Sequence, residues 1–284
     1  MRRSQVGDVE QQVRAYYDVA GPAYEALMGM FWHHGELESE QAGLSTVESA
    51  MALERKVVAW AGLEPGDFAM DFGSGIGGTT TYMAEVSGAH FVGVCNNDWL
   101  SRRAREYARE RNMSAQVSFH AIGDEDYRTF SAWPDGCLDA VTWYESVCHL
   151  PDKAAFFRAV ARILKPGGRL VGVDWLQRPF GEHQTEDQIK RWMAPMERAT
   201  SIPWHGTVDS YRAMIEDAGL VVEVAEDMYA GVHCWGGTPP EDGQGWLKYD
   251  GADFERFADG KRTLDAARAA GVFTAGKFVA VKPV

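Results

Sequence analysis

Glycines and an acidic residue follow an apolar run in the first third of the chain, in a pattern that suits a small-molecule ligand. Asp71 lies in the run Phe68–Phe72, and Gly73, Gly75 and Gly77 alternate after it. Glycine tolerates positive φ and lets the backbone approach a ligand closely, so we predict a strand, a tight loop and a helix here. A dinucleotide site would use a GxGxxG register with an acidic residue about 20 positions later. The DxGxGxG register disfavours an NAD-dependent dehydrogenase and leaves a bare strand-to-helix turn as the alternative.

The elements that must position this loop alternate along the chain. We predict strands at Phe68–Phe72, His90–Val94, Val117–Ala121, Leu138–Trp143 and Arg169–Trp175, and helices at Ser45–Gly62, Trp99–Arg111 and Lys153–Leu164. Strands that alternate with helices predict a parallel sheet. Lys165–Gly168, with the sequence KPGG, is expected to end a helix and turn into the next strand. Val9–Met30 reads as one or two short helices interrupted at Gly21 and Pro22.

Two further strands are predicted near the end of the chain, at Gly219–Asp227 and Phe273–Val281. The segment 228–272 between them is long for a connection inside a compact domain. Such a length favours a lid, a pocket wall or an interface.

Composition and charge indicate a globular protein with an acidic surface. The 284 residues are 45% hydrophobic and 24% charged, which allows one catalytic domain with a full core. A formal net charge of −13 disfavours nucleic acid or an anionic membrane as the main partner. No apolar run is long enough for a membrane span and Met1–Gln12 is polar, so we expect a cytoplasmic protein. Four cysteines without CxxC spacing indicate neither a zinc site nor a disulfide framework.

The glycine loop and later segments together resemble class I S-adenosylmethionine-dependent methyltransferases. Asp71–Gly78 is similar to the first motif of that family, Gly123 and Asp124 to the position that meets adenine, and Lys165–Gly168 to its LKPGG turn. The resemblance implies a Rossmann-like α/β fold, with a seven-stranded, mostly parallel sheet and an antiparallel last strand, and S-adenosylmethionine as the cofactor. It leaves open which residue after the second strand meets the ribose, since Asn96 and Asn97 occupy that position and Asp98 follows one step on. The cofactor-binding residues that it implies are Tyr16, Asp71, Gly73, Ser74, Gly75, Gly77, Asn96, Asn97, Gly123, Asp124 and Tyr144.

Other segments are similar to the group of sterol, tocopherol and geranyl diphosphate C-methyltransferases. Tyr16–Asp18 and Trp32–Gly35 resemble the YYD and HHG elements of that group, and Glu145–Lys153 resembles its ES-x-x-H-x-PDK segment. The resemblance implies an N-terminal helical lid, residues 1–62, on a methyltransferase domain, residues 63–284. Substrate-pocket insertions are then expected at 176–210 and 228–272.

Glu145 and His149 are the predicted catalytic residues. If the acceptor is an alkene carbon, methylation leaves a carbocation, which needs negative charge or aromatic faces nearby and then a base. Glu145 is expected at the carboxyl end of the fourth strand, where ligands bind in open α/β sheets. His149 follows about one turn later and is placed to assist. The alternatives are a carboxylate that binds the amino group of the cofactor and a structural histidine.

Aromatic side chains after the fifth strand suit a hydrocarbon acceptor, although for each one a place in a helix core is the alternative. The predicted acceptor pocket comprises His33, Trp175, Arg178, Trp192, Met196, Trp204 and Trp235. Together with these residues, the resemblance implies a C-methyltransferase of terpene or other secondary metabolism that acts on an isoprenoid alkene, such as a prenyl diphosphate. No metal site of the protein is predicted, and Mg²⁺ is expected only with a diphosphate acceptor.

Two other functions remain open at this point. A small-molecule O- or N-methyltransferase would need only a base such as His149. A regulatory protein that binds the cofactor without turnover is the third reading. The expected partner is a small hydrophobic molecule, and the sequence leaves the existence of a homo-oligomer open.

Overall fold

Helices and strands alternate through the residues that this computed structural model describes, which are 3–179, 185–235 and 254–284. The helices are α1 Arg3–Met28, α2 Leu37–Gln41, α3 Thr46–Ala61, α4 Gly78–Ser87, α5 Asp98–Glu110, α6 Lys153–Ile163, α7 Glu186–Thr200, α8 Val208–Asp217 and α9 Phe254–Ala269. The strands are β1 Phe68–Phe72, β2 His90–Cys95, β3 Val117–Ala121, β4 Leu138–Tyr144, β5 Leu164–Gln177, β6 Val221–Asp227 and β7 Phe273–Val281. Within the predicted insertions, residues 180–184 and 236–253 lie outside the described part of the chain.

The strands form one seven-stranded sheet in the order β3-β2-β1-β4-β5-β7-β6. The first five strands are parallel, and β7 is antiparallel to both β5 and β6. The mostly parallel sheet with an antiparallel last strand is thus confirmed. The strand order reverses between β1 and β4, and ligands of open α/β sheets bind at such a reversal, at the carboxyl ends of the strands.

Apolar helix faces cover both sides of the sheet. One cluster joins Phe156 and Phe157 of α6 and Tyr211 of α8 to the sheet, and the other joins Leu53 of α3 and Met83 of α4 to the opposite face. None of the helices in the described part of the chain combines the length and apolarity that a bilayer crossing demands.

Local sequence signals set the predicted helix over Ser45–Gly62. The Ser45 side chain accepts from the Glu48 backbone N–H, and the Glu48 carboxylate accepts from the Ser45 backbone N–H. Gly62 ends the helix in the left-handed conformation, with φ of 63°. These two caps satisfy backbone groups that the helix itself leaves unpaired.

Two local predictions were wrong because tertiary contacts override local signals. The helix α1 is continuous through Gly21 and Pro22, and Gly21 packs so tightly on Trp99 that a Cβ atom would lie 2.7 Å from its ring. The helix α6 ends at Ile163, just before the KPGG segment, as predicted, but β5 begins at Leu164, so the segment is an irregular stretch of that strand and not a separate turn. Gly167 N–H donates to the Lys282 carbonyl at 2.8 Å, so the segment pairs with the end of the chain.

The centre of the core leaves no room beside the indole of Trp143, which lies between Phe157 and Phe278. A Cβ atom on Gly172 of β5 would lie 2.1 Å from Cδ2 of Trp143. We predict that Gly172→Ala lowers the free energy of unfolding by about 1–3 kcal/mol, because the indole must shift. Chemical denaturation measures the change.

Gly260→Ala is the matched control for this glycine. Gly260 lies inside α9, and its added Cβ would meet Thr200 at an ordinary 3.8 Å. Alanine favours helix over glycine, so we expect a gain of about 0.5–1 kcal/mol. Equal losses in both variants would contradict the packing argument.

Candidate active site

A pocket lies at the carboxyl ends of β1 to β4, and the N-terminal helix and the loop after it contribute to its wall. The strands β1 to β4 and the segments directly after them contribute Asp71, Phe72, Gly73, Ser74, Gly75, Ile76, Cys95, Asn96, Ile122, Gly123, Asp124, Tyr144, Glu145, Ser146, His149 and Leu150. The N-terminal segment contributes Val13, Tyr17, Met30, Trp32 and His33. The structure therefore brings together most of the predicted cofactor residues, both predicted catalytic residues and His33. The other predicted residues lie outside this lining.

Two glycines shape the loop after β1. Gly73 and Gly75 have φ of 81° and 51°, a region that favours glycine. A Cβ atom on Gly73 would lie 2.2 Å from Cβ of Ser146, so β1 and β4 meet there without room for a side chain. Gly77 serves helix packing instead, since its Cβ would lie 2.7 Å from both Ala104 and Phe119.

Asp71 is a buried carboxylate at the start of this loop. Its Oδ2 accepts from Thr80 Oγ1 at 2.5 Å, and its Oδ1 accepts from Thr142 Oγ1 at 3.4 Å. Burial raises the pKa of Asp71 to about 6, so the group is mostly ionised at pH 7. It places negative charge beside the loop and suits a cationic group of a ligand.

The adjacent asparagines after β2 have different roles. Asn97 is buried, and its Oδ1 accepts from the backbone N–H groups of Trp99 and Leu100 at the start of α5. Its Nδ2 donates to Asp18 at 2.8 Å, which ties α1 to α5. Asn96 lines the pocket. Of the pair, Asn96 is the residue placed to contact a ligand there.

Glu145 is held as a charged group at the end of β4. Its Oε1 accepts from the backbone N–H of His34 at 3.1 Å, and Nδ1 of His34 lies 3.3 Å away. Its backbone N–H donates to the Val173 carbonyl, and its φ is 48°. Burial raises the pKa of Glu145, but the His34 imidazole and hydrogen bond outweigh it, and the net shift is downward. The pocket therefore contains a weakly basic carboxylate.

His149 is a neutral imidazole with a fixed tautomer. Its Nδ1 faces the Ser201 carbonyl at 3.5 Å, which places the proton on Nδ1 and leaves Nε2 to accept from the Tyr17 hydroxyl at 3.1 Å. Burial lowers the pKa of His149 from 6.5 to about 4. Burial also raises the pKa of Tyr17, so the phenol stays protonated.

Tyr17 is a pocket residue that the sequence prediction missed. The predicted residue, Tyr16, is buried with its hydroxyl 3.0 Å from that of Tyr24. The motif Tyr16–Asp18 carried the signal, but which tyrosine faces the pocket depends on how α1 docks on the sheet.

His33 faces the pocket from the loop after α1. Its Nε2 lies 2.8 Å from Glu54 Oε1, and its ring stacks on Tyr144 with centroids 4.4 Å apart. Burial lowers the pKa of His33, but Glu54 outweighs it and the net shift is upward. Glu54 was not singled out in the sequence, because it lies among the apolar residues of α3. The pair anchors the loop to α3.

Asp124 also contacts the N-terminal helix, since its Oδ1 accepts from Arg14 at 2.6 Å. Together with the contacts of Asn97 and His149, this contact holds α1 across the carboxyl edge of the sheet.

The residues predicted to line the acceptor pocket do not form one continuous wall in the structure. Trp192 and Met196 pack with Trp175 and Trp235 in an aromatic cluster beside the pocket. Trp204 donates from Nε1 to the Pro151 carbonyl and covers the ammonium of Lys153, 4.0 Å from its ring centroid.

Arg178 has a structural role, because its guanidinium is occupied by contacts within the protein. Its Nε donates to Asp227 at 3.1 Å, and its Nη2 donates to the carbonyls of Tyr229 and Val232 at 2.7 and 2.6 Å. Its guanidinium therefore serves the segment after β6.

The described wall of the pocket carries carboxylates and no lysine or arginine. Among the residues that the structure describes, no group of three or more His, Cys, Asp and Glu side chains is arranged to hold a metal ion.

Sequence comparisons point to one kind of enzyme. A family model described as a methyltransferase domain matches residues 47–224. Sterol 24-C-methyltransferase of Saccharomyces cerevisiae is 28% identical over 225 residues, 78% of this chain and 56% of the relative. A probable chloroplastic tocopherol O-methyltransferase of Oryza sativa subsp. japonica is 32% identical over 190 residues, 64% of this chain and 51% of the relative. The chain spans a little over half the length of the sterol methyltransferases that it matches.

Solved structures share the fold over nearly the whole chain. The [4+2]-cyclase SpnF aligns with a TM-score of 0.79 and 23% identity, covering 97% of each chain. A geranyl diphosphate C-methyltransferase from Streptomyces coelicolor A3(2), in complex with Mg²⁺, geranyl diphosphate and S-adenosyl-L-homocysteine, aligns with a TM-score of 0.72 and 17% identity. It covers 96% of this chain and 97% of that chain. At these identities the likeness shows the fold alone.

The two asparagines make a matched pair of variants. We predict that Asn96→Ala weakens binding of S-adenosylmethionine, the cofactor that the resemblance implies, about tenfold and leaves stability unchanged. Asn97→Ala should lower the free energy of unfolding by about 2 kcal/mol, because a helix cap and a buried hydrogen bond are lost. Calorimetric titration and chemical denaturation separate the two effects, and the reversed pattern would contradict the placement.

His149 predicts a pH-dependent stability. Its pKa is about 4 in the folded protein against an ordinary 6.5, so between these values the unfolded chain binds a proton that the native protein does not. Stability therefore falls as the pH drops through this range. Between pH 7 and pH 4, wild type should lose about 3 kcal/mol more than His149→Gln, measured by denaturation at each pH. If the free energy of unfolding depended on pH in the same way in both proteins, His149 would not be a buried, neutral group.

Proposed function

The chain belongs to the methyltransferase domain family, and from that premise we propose that it transfers a methyl group from S-adenosylmethionine to an alkene carbon of an uncharged isoprenoid. The observation that carries the proposal is the charged, weakly basic Glu145 carboxylate in a pocket with aromatic walls.

The residues present fit S-adenosylmethionine. Gly73 and Gly75 keep side chains away from the backbone of the loop, and the Asp71 carboxylate lies beside it. Asn96 and Asp124 follow the next two strands on the same edge, in reach of a nucleoside. When bound, the cofactor supplies an electrophilic methyl group on a sulfonium.

Charge in the pocket favours an acceptor without phosphate. Asp71 and Glu145 line the pocket as carboxylates without an arginine or lysine beside them, Asp124 is already paired with Arg14, and the described wall offers no lysine or arginine to a diphosphate. Phosphate groups in proteins are commonly held by such cations or by a metal, in addition to backbone N–H groups. A neutral hydrocarbon avoids this mismatch and matches the apolar wall.

The strength of the available bases favours carbon over oxygen as the methylated atom. Methyl transfer uses the π electrons of the alkene for the new C–C bond and leaves a cation on the neighbouring carbon. A C–H bond beside such a cation is strongly acidic, so Glu145 or His149 is basic enough to take its proton. The electrons of that C–H bond then form the new double bond. A phenol, with a pKa of about 10, is deprotonated less readily by bases as weak as these two residues.

Aromatic faces complete the arrangement. Tyr17, Trp32 and Tyr144 line the pocket with Glu145. Aromatic faces attract cations electrostatically, and the attraction grows when water is excluded. Together with the carboxylate they suit a positive charge on a hydrocarbon.

O-methylation of a small hydroxylated acceptor is the second candidate. The 32% identity to a probable tocopherol O-methyltransferase and the hydrogen-bonded Tyr17–His149 pair favour it. The fold does not decide between the two, since it is shared with a [4+2]-cyclase.

Product analysis tests the proposal. Methyl-labelled S-adenosylmethionine is offered with neutral isoprenoid alkenes, with prenyl diphosphates with and without Mg²⁺, and with prenylated phenols. We expect label on carbon of the neutral alkenes, and a kcat/KM at least about tenfold lower for the diphosphates. Label found on oxygen alone would overturn the proposal in favour of the second candidate.

Glu145→Gln then tests the role of the carboxylate in the same assay. We expect kcat to fall about 10² to 10⁴-fold while the affinity for S-adenosylmethionine changes little. Glu226→Gln, at the surface ion pair with Lys277, is the control and should retain both. Equal loss of cofactor affinity in Glu145→Gln would make Glu145 a cofactor ligand instead.

A further inference from the structure

An indole, an imidazole and a carboxylate lie in direct succession at the edge of the pocket. The rings of Trp235 and His34 are stacked, with centroids 3.7 Å apart and planes 15° apart. Nδ1 of His34 lies 3.3 Å from Oε1 of Glu145. The direction of Nδ1 depends on the plane of the imidazole, and the indole face fixes that plane.

From this arrangement we propose that Trp235 is a positioning residue, which acts through His34 to hold the carboxylate of Glu145 in its reactive orientation. The inference rests on the proposed function for its catalytic consequence, and on contacts alone for its structural part. It differs from the sequence prediction, in which Trp235 was a wall of the acceptor pocket.

The backbone of Trp235 is strained in a way that its surroundings must offset. Its φ is 60°, a conformation that bulky residues rarely adopt and that costs on the order of 1–3 kcal/mol. Trp175 and Phe273 pack against the indole, with centroids 5.6 and 5.3 Å away. The guanidinium carbon of Arg268 lies 5.0 Å from the centroid.

Two arginines tie the segment that carries Trp235. Arg268 donates from Nε and Nη2 to the Cys234 carbonyl at 3.0 and 2.8 Å. Arg178 donates to the carbonyls of Tyr229 and Val232. The Tyr229 hydroxyl donates to the Gly35 carbonyl, next to His34, at 3.0 Å. The segment Tyr229–Trp235 and the loop of His34 are therefore joined at two points, the stack and this hydrogen bond.

The ionisable side chains that interact electrostatically with Glu145 come from several elements of the fold. They are His33 and His34 from the loop, Tyr17 and Tyr24 from α1, Cys148 after β4 and Cys234 beside Trp235. Burial raises the pKa of each tyrosine and cysteine, so these four stay neutral near pH 7. The histidines are the groups whose position changes the ionisation of Glu145.

A carboxyl titration tests the contact without any acceptor or turnover. In protein labelled with ¹³C at the glutamate carboxyl, the Glu145 signal is the one lost in Glu145→Gln. We expect its pKa to rise by about one unit in Trp235→Leu, because His34 no longer holds its orientation. Trp235→Phe, which keeps a ring for stacking, should shift it by less than half as much. An unchanged pKa in Trp235→Leu overturns the inference, whatever the reaction of the enzyme proves to be.

Two further variants guard against a general effect on folding. Trp133→Leu removes an indole near Phe68, at the amino ends of the strands, and should leave the Glu145 pKa unchanged. Trp235→Gly removes the indole while accepting the positive φ, so it remains a test if Trp235→Leu does not fold. A shift of equal size in Trp133→Leu would overturn the inference.

Kinetics distinguish positioning from acceptor binding. In Trp235→Leu we expect kcat to fall about tenfold with little change in KM for the acceptor or in affinity for S-adenosylmethionine, and Trp235→Phe should recover most of the loss. A raised acceptor KM with unchanged kcat would make Trp235 a wall of the acceptor pocket and overturn the proposal. If wild type methylates none of the acceptors, the proposed function fails, and the carboxyl titration still decides the structural part.

Discussion

The buried charge of Glu145 is the constraint on which the rest of the site depends. An ionised carboxylate removed from water costs several kcal/mol unless hydrogen bonds and opposite charge compensate it. His34 supplies a backbone N–H and an imidazole beside the carboxylate, and it does so only when the loop after α1 lies across the end of β4. The buried His33–Glu54 pair anchors that loop to α3. The wall of the pocket and the charge inside it therefore require each other.

Polar contacts also hold the N-terminal helix α1 over the pocket. Asn97 contacts Asp18, Asp124 contacts Arg14, and His149 contacts Tyr17, so three strand ends each bind one turn of α1. The contact of Asn97 satisfies an amide that would otherwise be buried without a partner, whereas Arg14 and Asp124 form a partly exposed ion pair. A helix held in this way restricts water in the pocket, and the cationic chemistry that we propose needs that exclusion.

The sequence predicted those features that depend on neighbours along the chain. Strands and helix ends were predicted because alternation and capping residues are local signals, and Asp71 and Asn96 were assigned to the pocket because the segments that contain them resemble motifs of the methyltransferase family. The choice of Tyr17 over Tyr16 was not local, because it depends on how α1 rotates against the sheet. Asn97 and Arg178 were assigned to ligands, whereas Asn97 caps α5 and donates to the distant Asp18, and Arg178 donates to the distant carbonyls of Tyr229 and Val232. Composition and spacing contain no information on such long-range pairing.

The proposed reaction keeps the number of positive charges in the pocket constant, and this fits the carboxylates of its wall. Transfer of a methyl group from a sulfonium to a neutral alkene moves one positive charge across the pocket without creating or destroying it. Carboxylates placed for the first cation, such as Asp71 and Glu145, are then already in place for the second, and no reorganisation is needed. A phenolate would cancel the charge and leave these carboxylates unbalanced, and a diphosphate would add to their repulsion. The electrostatics of the described wall therefore favour the neutral hydrocarbon.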